Sequence, residues 1–127
     1  NTERPQLFIG SGVGMTPLVS MFKKAASLNV PTQMIQAVVT EDERPFAQKL
    51  DSITDNYEQA QLHLHVKDKE GYLEAKELEQ YLSEQPEIYI CGGTKFLHSI
   101  INSLKELNYD MNHVHFETFI PRLSVQV

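Results

Sequence analysis

A glycine-rich stretch close to the start of the chain constrains the fold more than any other feature. It reads LFIGSGVGMTPLVSMF from Leu7 to Phe22. Three apolar residues run into three alternating glycines, and a Thr-Pro pair then leads into apolar residues at helical spacing. This order predicts a strand, a tight loop and a helix. Thr16 is suited to the N-cap and Pro17 to the first helical position, where a missing N–H costs nothing.

A loop of this kind can hold an anion, because backbone amides and the positive end of the helix dipole face whatever the glycines allow to approach. A dinucleotide pyrophosphate suits the arrangement. The spacing is G-x-G-x-G, however, and the usual dinucleotide fingerprint is G-x-G-x-x-G. No Lys-Ser or Lys-Thr pair follows to complete a P-loop. On this stretch alone, a glycine turn that binds nothing stays an alternative.

Composition limits the class of protein. The chain has 127 residues, 41% hydrophobic and 22% charged, which predicts one domain over residues 1–127. The formal charge of −6 disfavours nucleic acid and membranes as partners, because both favour a basic surface. A single cysteine, Cys91, rules out a disulfide within the chain and favours the cytoplasm. Because the sequence begins without Met and directly before a strand, we expect it to be a piece of a longer protein.

Strands and helices alternate through the rest of the sequence. Predicted strands cover residues 33–39, 61–66, 87–91 and 114–119. Predicted helices cover about residues 17–28, a short segment after Pro45, residues 73–82 and a segment capped by Thr94. Residues 67–71 are predicted to form a charged loop. The alternation is typical of an α/β fold in which helices cover both faces of a parallel sheet.

A second glycine turn, Gly92-Gly93-Thr94, follows the predicted strand that ends at Cys91. Ligands of open parallel sheets bind beyond the carboxyl ends of the strands, where the strand order reverses. If the first and fourth strands are neighbours, the two glycine turns line one crevice. This expected convergence is the strongest indication of a nucleotide site in the residues themselves.

Three ordered motifs resemble the NAD(P)H-binding domain of the ferredoxin-NADP reductase superfamily. They are IGSGVGMTP at residues 9–17, YICGGTKFL at residues 89–97 and VHFETFIP at residues 114–121. The pattern of Phe116, Glu117, Phe119 and Pro121 is similar to the ending of the flavohaemoglobins, although Ile120 stands where that group often has Gly. The resemblance implies a three-layer αβα fold with five parallel strands in the order 3-2-1-4-5.

The resemblance also implies cofactors and partner domains. NADH or NADPH would lie across the carboxyl edge of the sheet and reduce FAD held by a preceding barrel domain. Electrons would then pass to haem b in a globin domain, where nitric oxide is converted to nitrate. Both domains lie outside this sequence, so we expect the isolated chain to bind dinucleotide weakly and to be inactive.

The residues implied for the site fall into two sets. The catalytic set is Cys91, Glu117 and Phe119, with Phe119 stacked on the flavin. The cofactor-binding set comprises Gly10, Ser11, Gly12, Val13, Gly14, Met15, Thr16, Pro17, Glu41, Cys91, Gly92, Gly93, Phe96, Thr118, Phe119, Ile120 and Pro121.

An acidic loop at residues 40–44 favours NADH over NADPH. A carboxylate such as Glu41 suits a ribose 2′-hydroxyl and repels a 2′-phosphate. The preference would weaken if Arg44, Lys67 or Lys69 turned towards the ligand.

Other readings of individual residues are weaker. Two pairs of histidines could hold a metal, namely His63 with His65 and His113 with His115. No metal site is expected, because helices should cover both faces of the sheet and because His63 lacks supporting carboxylates. Cys91 fits a small residue that leaves room for nicotinamide better than a nucleophile, since no His-Asp partner set is visible.

Two alternative functions stay open. One is a reductase component that delivers electrons to a separate oxygenase or iron-sulfur protein. The other is a nucleotide-sensing module that keeps the fold without flavin chemistry.

Overall fold

The computed structural model describes residues 4–118. Within them, five strands form one parallel sheet in the order β3-β2-β1-β4-β5. The strands are β1 (Gln6–Ser11), β2 (Thr32–Val38), β3 (Ala60–Val66), β4 (Glu87–Gly92) and β5 (Val114–Thr118). The predicted order 3-2-1-4-5 is therefore confirmed. Gly10 of β1 lies beside Cys91 of β4, so the first and fourth strands are neighbours.

Helices connect the strands. They are α1 (Thr16–Ser27), α2 (Ala47–Asn56), α3 (Lys67–Glu70), α4 (Ala75–Glu79) and α5 (Thr94–Glu106), with 3-10 turns at Gly12–Met15 and Met111–His113. Within residues 4–118, none of these helices has the length and apolar composition required to cross a bilayer.

Two apolar cores lie on opposite faces of the sheet. α1 and α2 pack on the face that carries Phe8 and Met34. α4 and α5 pack on the face that carries Ile9 and Ile35. Neighbouring residues of β1 are buried on both faces, which explains why this strand reads as a continuous apolar run.

Both predicted N-caps are wrong by one residue. Met15 precedes α1 with helical dihedrals and no capping side chain, because the chain enters the helix through the 3-10 turn. Thr16 is already the first residue of α1, so the position before the helix falls on Met15. At α5 the extended residue is Gly93, and Thr94 is the first helical residue.

The segment between β3 and β4 differs most from the sequence prediction. Residues 67–71 are predicted as a loop, but Lys67–Glu70 form a single helical turn, in which Glu70 accepts a hydrogen bond from the Val66 amide at 3.1 Å. The helix predicted over residues 73–82 is shorter than expected. It spans only Ala75–Glu79, and the chain continues in tight turns to Gln85, which has a left-handed φ of 52°.

Candidate functional site

The two glycine turns meet at the carboxyl edge of the sheet. Gly12 has a φ of +58°, in the left-handed region that favours glycine. At Gly92, a Cβ atom would lie 2.6 Å from Ser11 Oγ and 2.7 Å from Phe96 Cδ2. The end of β1 and the first turn of α5 therefore approach each other across a glycine that has no room for a side chain.

Two of the predicted site residues have buried side chains. Met15 is fully buried beneath Gly10, where a Cβ would lie 2.6 Å from Met15 Cγ. Only the main chain of Met15 is therefore placed to face a ligand. Cys91 is also buried and belongs to the core on the α1 face. Val13 and Gly14 lie in the 3-10 turn that leads into α1.

The electrostatics of this edge favour an anion. α1 and α5 both begin here, and neither has an acidic residue in its first turn. The helix dipoles are therefore not offset by carboxylates of their own first turns. Lys95, in the first turn of α5, adds a positive charge beside Phe96.

A cleft of about 740 Å³ opens next to the glycine turns, on the α5 side of the sheet. Clefts that bind small molecules and cofactors commonly fall in this size range. Its lining comprises Ser11, Gly12, Ala37, Val38, Val39, Glu43, Pro45, His65, Lys67, Gly71, Tyr72, Leu73, Lys95, Phe96, Ser99 and Ile100. The charged groups among these are Glu43, Lys67 and Lys95.

The loop after β2 forms one wall of the cleft. Gln36 is fully buried, and its Nε2 donates to the Pro45 carbonyl at 2.8 Å. Arg44 donates to Gln36 Oε1 at 3.3 Å and to Asp51 Oδ1 at 3.1 Å. Arg44 is thus held by α2 and β2 and does not line the cleft.

The segment after β3 forms the opposite wall. Lys69 Nζ is paired with Glu41 Oε1 at 2.8 Å, and neither residue lines the cleft. Lys67 does line it, with Nζ 4.6 Å from the centre of the Tyr72 ring. The acidic residue that faces the cleft is therefore Glu43, and the expected Glu41 lies outside the lining.

The other side of the carboxyl edge has a smaller cavity of about 110 Å³ between α1, β4 and β5. Pro17, Cys91 and Phe116 are among its lining residues. Tyr89 also lines it, and burial, together with the charge of Glu87, raises the pKa of the Tyr89 hydroxyl above its usual value of 10.0.

The end of β5 runs beside the second glycine turn. Glu117 is in register with Cys91, and Thr118 with Gly92. The backbone of β5 thus brings Glu117 and Thr118 to the same edge as the glycine turns. Phe119, Ile120 and Pro121 lie outside the described residues.

Each of the paired histidines has a partner. His63 Nε2 lies 2.8 Å from Gln33 Oε1, and His65 Nε2 lies 2.9 Å from the Gly71 carbonyl. His113 and His115 both contact the carboxylate of Glu87. Within residues 4–118, no group of three or more metal-ligating side chains is arranged to hold a metal.

Several residues that line the cleft carried no signal in the sequence analysis. Lys95 and Ser99 are one helical turn apart on α5, and this spacing, placed after a glycine turn, could have identified them. Tyr72 gives no comparable signal, because its place depends on how the segment after β3 folds back.

Comparisons with known proteins identify the family of the chain. The sequence profile of the oxidoreductase NAD-binding domain family matches residues 8–101. Flavohemoprotein B of Dictyostelium discoideum is 27% identical, over 98% of this chain and 33% of that protein. The glycine betaine monooxygenase reductase subunit of Chromohalobacter salexigens is 28% identical, over 89% of this chain and 34% of that protein.

One solved structure is similar in both fold and sequence. The flavohem-like FAD/NAD-binding domain of nitric oxide dioxygenase from Vibrio cholerae O1 biovar El Tor has a TM-score of 0.82 and 25% identity, over 94% of this chain and 52% of that chain. The chain spans about a third of the length of the curated relatives it matches. Because the family profile covers most of the sequence, the chain belongs to the oxidoreductase NAD-binding domain family.

Proposed function

We propose that this chain binds NADH across the carboxyl edge of its sheet and orients the nicotinamide for hydride transfer to a flavin. The observation that carries the proposal is the convergence of two glycine turns and two helix N-termini beside a cleft of about 740 Å³. Backbone amides and the positive ends of the helix dipoles are suited to a pyrophosphate. The hydride chemistry belongs to the cofactors, and the protein supplies binding and orientation.

The strand order supports one direction for the dinucleotide. With the pyrophosphate at Gly12 to Thr16, above the central strand, the two halves extend towards opposite sides of the sheet. The larger cleft lies towards β2 and β3 and is suited to the adenosine half. The smaller cavity beside Cys91 lies towards β4 and β5, so the nicotinamide half is assigned there, close to Gly92.

The catalytic residues of the proposal are Cys91, Glu117 and Phe119. Cys91 is a small residue beside the nicotinamide, and Glu117 is next to it in register. Phe119 is assigned to cover the flavin ring. Thr118, Ile120 and Pro121 are assigned to the cofactor contacts of the same tail.

The proposal includes a preference for NADH over NADPH. Two of the three cations that could attract a 2′-phosphate are bound elsewhere, because Arg44 contacts Gln36 and Asp51, and Lys69 contacts Glu41. Glu43 faces the cleft and would repel the additional phosphate. Titration of the chain with both dinucleotides tests the preference, and tighter binding of NADPH would refute it.

The parent protein is proposed to be a flavohaemoglobin that converts nitric oxide to nitrate in the cytoplasm. Its FAD and haem b would be held by a barrel domain and a globin domain elsewhere in the chain, consistent with relatives about three times longer. The surplus of acidic residues favours neither nucleic acid nor membrane as a further partner. In this proposal the isolated chain binds dinucleotide and does not turn over.

A second candidate is a reductase component that serves a separate oxygenase. The similarity to the glycine betaine monooxygenase reductase subunit favours it, since identity and coverage are comparable to those of Flavohemoprotein B. Both candidates use the same NADH site and differ only in the electron acceptor.

The deciding experiment is expression of the full-length gene product, followed by absorbance spectroscopy and an assay of NADH-dependent nitric oxide consumption. Flavin and haem absorbance with nitric oxide consumption is the expected result. Flavin without haem would overturn the flavohaemoglobin assignment and leave the reductase component. A full-length protein that contains no flavin would contradict both.

A further inference from the structure

His65 is an unusual residue for its position at the end of β3. Within residues 4–118, the buried polar side chains are Thr32, Gln36 and His65. Only 7% of the His65 surface is exposed, and the ring lines the cleft. A buried polar group destabilises a fold unless it is hydrogen-bonded, so the partners of His65 indicate what it does.

The imidazole ties β3 to the segment that follows it. Nε2 lies 2.9 Å from the Gly71 carbonyl, and because a carbonyl only accepts, Nε2 carries the proton and donates. Nδ1 lies 3.6 Å from Glu70 Oε1, while the other oxygen of Glu70 accepts from the Val66 amide. The ring therefore fixes the point where the chain leaves α3.

Gly71 is the residue where the chain turns towards the cleft. Its φ of +77° is in the left-handed region, and its amide donates to the Lys67 carbonyl at 2.8 Å. Tyr72 follows and lines the cleft, although 68% of its surface is exposed. Leu73, the next residue, is buried in the core on the α5 face, so Tyr72 lies between that apolar anchor and the hydrogen bond at Gly71.

We propose that His65 is a positioning residue for the dinucleotide. It holds residues 67–73, here called the wall segment, so that Lys67 and Tyr72 face the cleft before the ligand arrives. The inference rests on the proposed function, since it assumes that the cleft takes the adenosine half of NADH. A preorganised wall raises affinity, because the cost of ordering it is met during folding and not during binding.

The test uses NADH titration of the 127-residue chain and three variants. His65→Leu removes the donor, and His65→Gln restores a donor close to the Nε2 position. His63→Leu is the matched control, because His63 lies two residues earlier on the same strand, contacts Gln33 and does not line the cleft. Thermal unfolding followed by circular dichroism establishes that each variant is folded.

We expect His65→Leu to weaken NADH binding about tenfold, as loss of preorganisation predicts. His65→Gln should lie within about threefold of the wild type, because the donor to Gly71 returns. His63→Leu should bind like the wild type. Unchanged affinity in His65→Leu would overturn the inference, as would an equal loss in His65→Gln or in His63→Leu.

A second measurement separates this inference from the proposed function. Amide hydrogen exchange of Gly71 without ligand should be faster in His65→Leu and near the wild-type rate in His65→Gln. A wild-type chain that binds no NADH would contradict the proposed function, while Gly71 exchange would still decide whether His65 holds the wall segment. Unchanged exchange in His65→Leu would overturn the inference by itself.

Discussion

At the carboxyl edge of the sheet, Gln36 and His65 each hydrogen-bond a loop that walls the cleft. At the amino edge, polar groups are bound to one another instead. Glu87 lies 3.0 Å from His113 Nδ1 and 2.5 Å from His115 Nε2, and Arg4 is 3.4 Å away. Burial or pairing of a polar group therefore does not by itself identify a ligand-binding site. Gln36 and His65 are different because the loops they hold line a cleft.

The largest effect is expected from Gly92→Ala at the carboxyl edge. Its Cβ would lie 2.6 Å from Ser11 Oγ and 2.7 Å from Phe96 Cδ2, so these two side chains, which both line the cleft, must shift. We expect at least about a tenfold loss of NADH affinity and a destabilisation of about 1–3 kcal/mol, typical of overpacking. Calorimetric titration and urea unfolding measure the two effects.

Gly93→Ala is the control for the stability effect of Gly92→Ala, because a Cβ at Gly93 meets nothing within 4 Å. Gly93→Ala should lower the free energy of unfolding by less than about 1 kcal/mol, which is the range for a change at an N-cap. Equal destabilisation by the two substitutions would show that the close approach at Gly92 does not cause the loss of stability in Gly92→Ala.

A smaller effect is expected from Lys95→Gln, which removes a charge from the cleft. NADH affinity should fall about three- to tenfold at low salt, and the difference should shrink as salt screens the phosphate. Lys105→Gln is the matched control, since Lys105 is exposed in the last turn of the same helix. If both lysines contributed equally, the effect would be one of net charge and not of the cleft.

The amino edge should respond in the opposite way to Glu87→Gln. NADH affinity should stay within about twofold, whereas unfolding free energy should fall by about 0.5–1.5 kcal/mol at neutral pH, as expected when charged hydrogen bonds are weakened near the surface. A clear loss of NADH affinity would break the distinction between the two edges.

The stability effect of Glu87 has a defined pH dependence. Burial would raise the pKa of Glu87, but hydrogen bonds from His115 and His113 and their charges lower it below its usual value of 4.5. A lowered pKa means that the stabilisation is complete above about pH 4.5 and is lost as the pH falls through the lowered value. Urea unfolding of wild type and Glu87→Gln should therefore converge in acid.

The smallest effect is expected from His63→Gln. Burial lowers the pKa of His63 below its usual value of 6.5. The neutral ring is favoured in the fold, so wild-type stability should decline as the pH falls from about 6.5 through the lowered pKa. Because the ring is only half-buried, we expect this decline in the free energy of unfolding to be less than about 0.5 kcal/mol. The decline should be absent from His63→Gln. Unfolding of both proteins at several pH values measures it.

The sheet was largely predictable, because the alternation of strands and helices indicates a parallel sheet and the family resemblance implies its strand order. The strand order 3-2-1-4-5 was expected and is confirmed, and the first and fourth strands are neighbours, which is the condition for the two glycine turns to meet. The two N-caps were missed by one residue. A Thr at the start of a helical pattern resembles a cap, but Thr16 and Thr94 are each the first helical residue.

The cleft was harder to predict, because its walls depend on contacts between distant residues. Glu41 was expected at the ligand, but it is paired with Lys69 and does not line the cleft, whereas Glu43 does. His65 was considered only as a metal ligand. Its hydrogen bond to Gly71 depends on how the wall segment turns back, and no local pattern in the sequence records that turn.

The most direct test of the account is an NMR titration of the isotope-labelled chain with NADH, in which backbone amide shifts report where the ligand binds. We predict the largest shifts at Gly12 to Thr16, Gly92 to Phe96 and the wall segment, with little change at Glu87, His113 and His115. Shifts concentrated at the amino edge, or no saturable shifts at all, would contradict the assignment of the dinucleotide to the carboxyl edge.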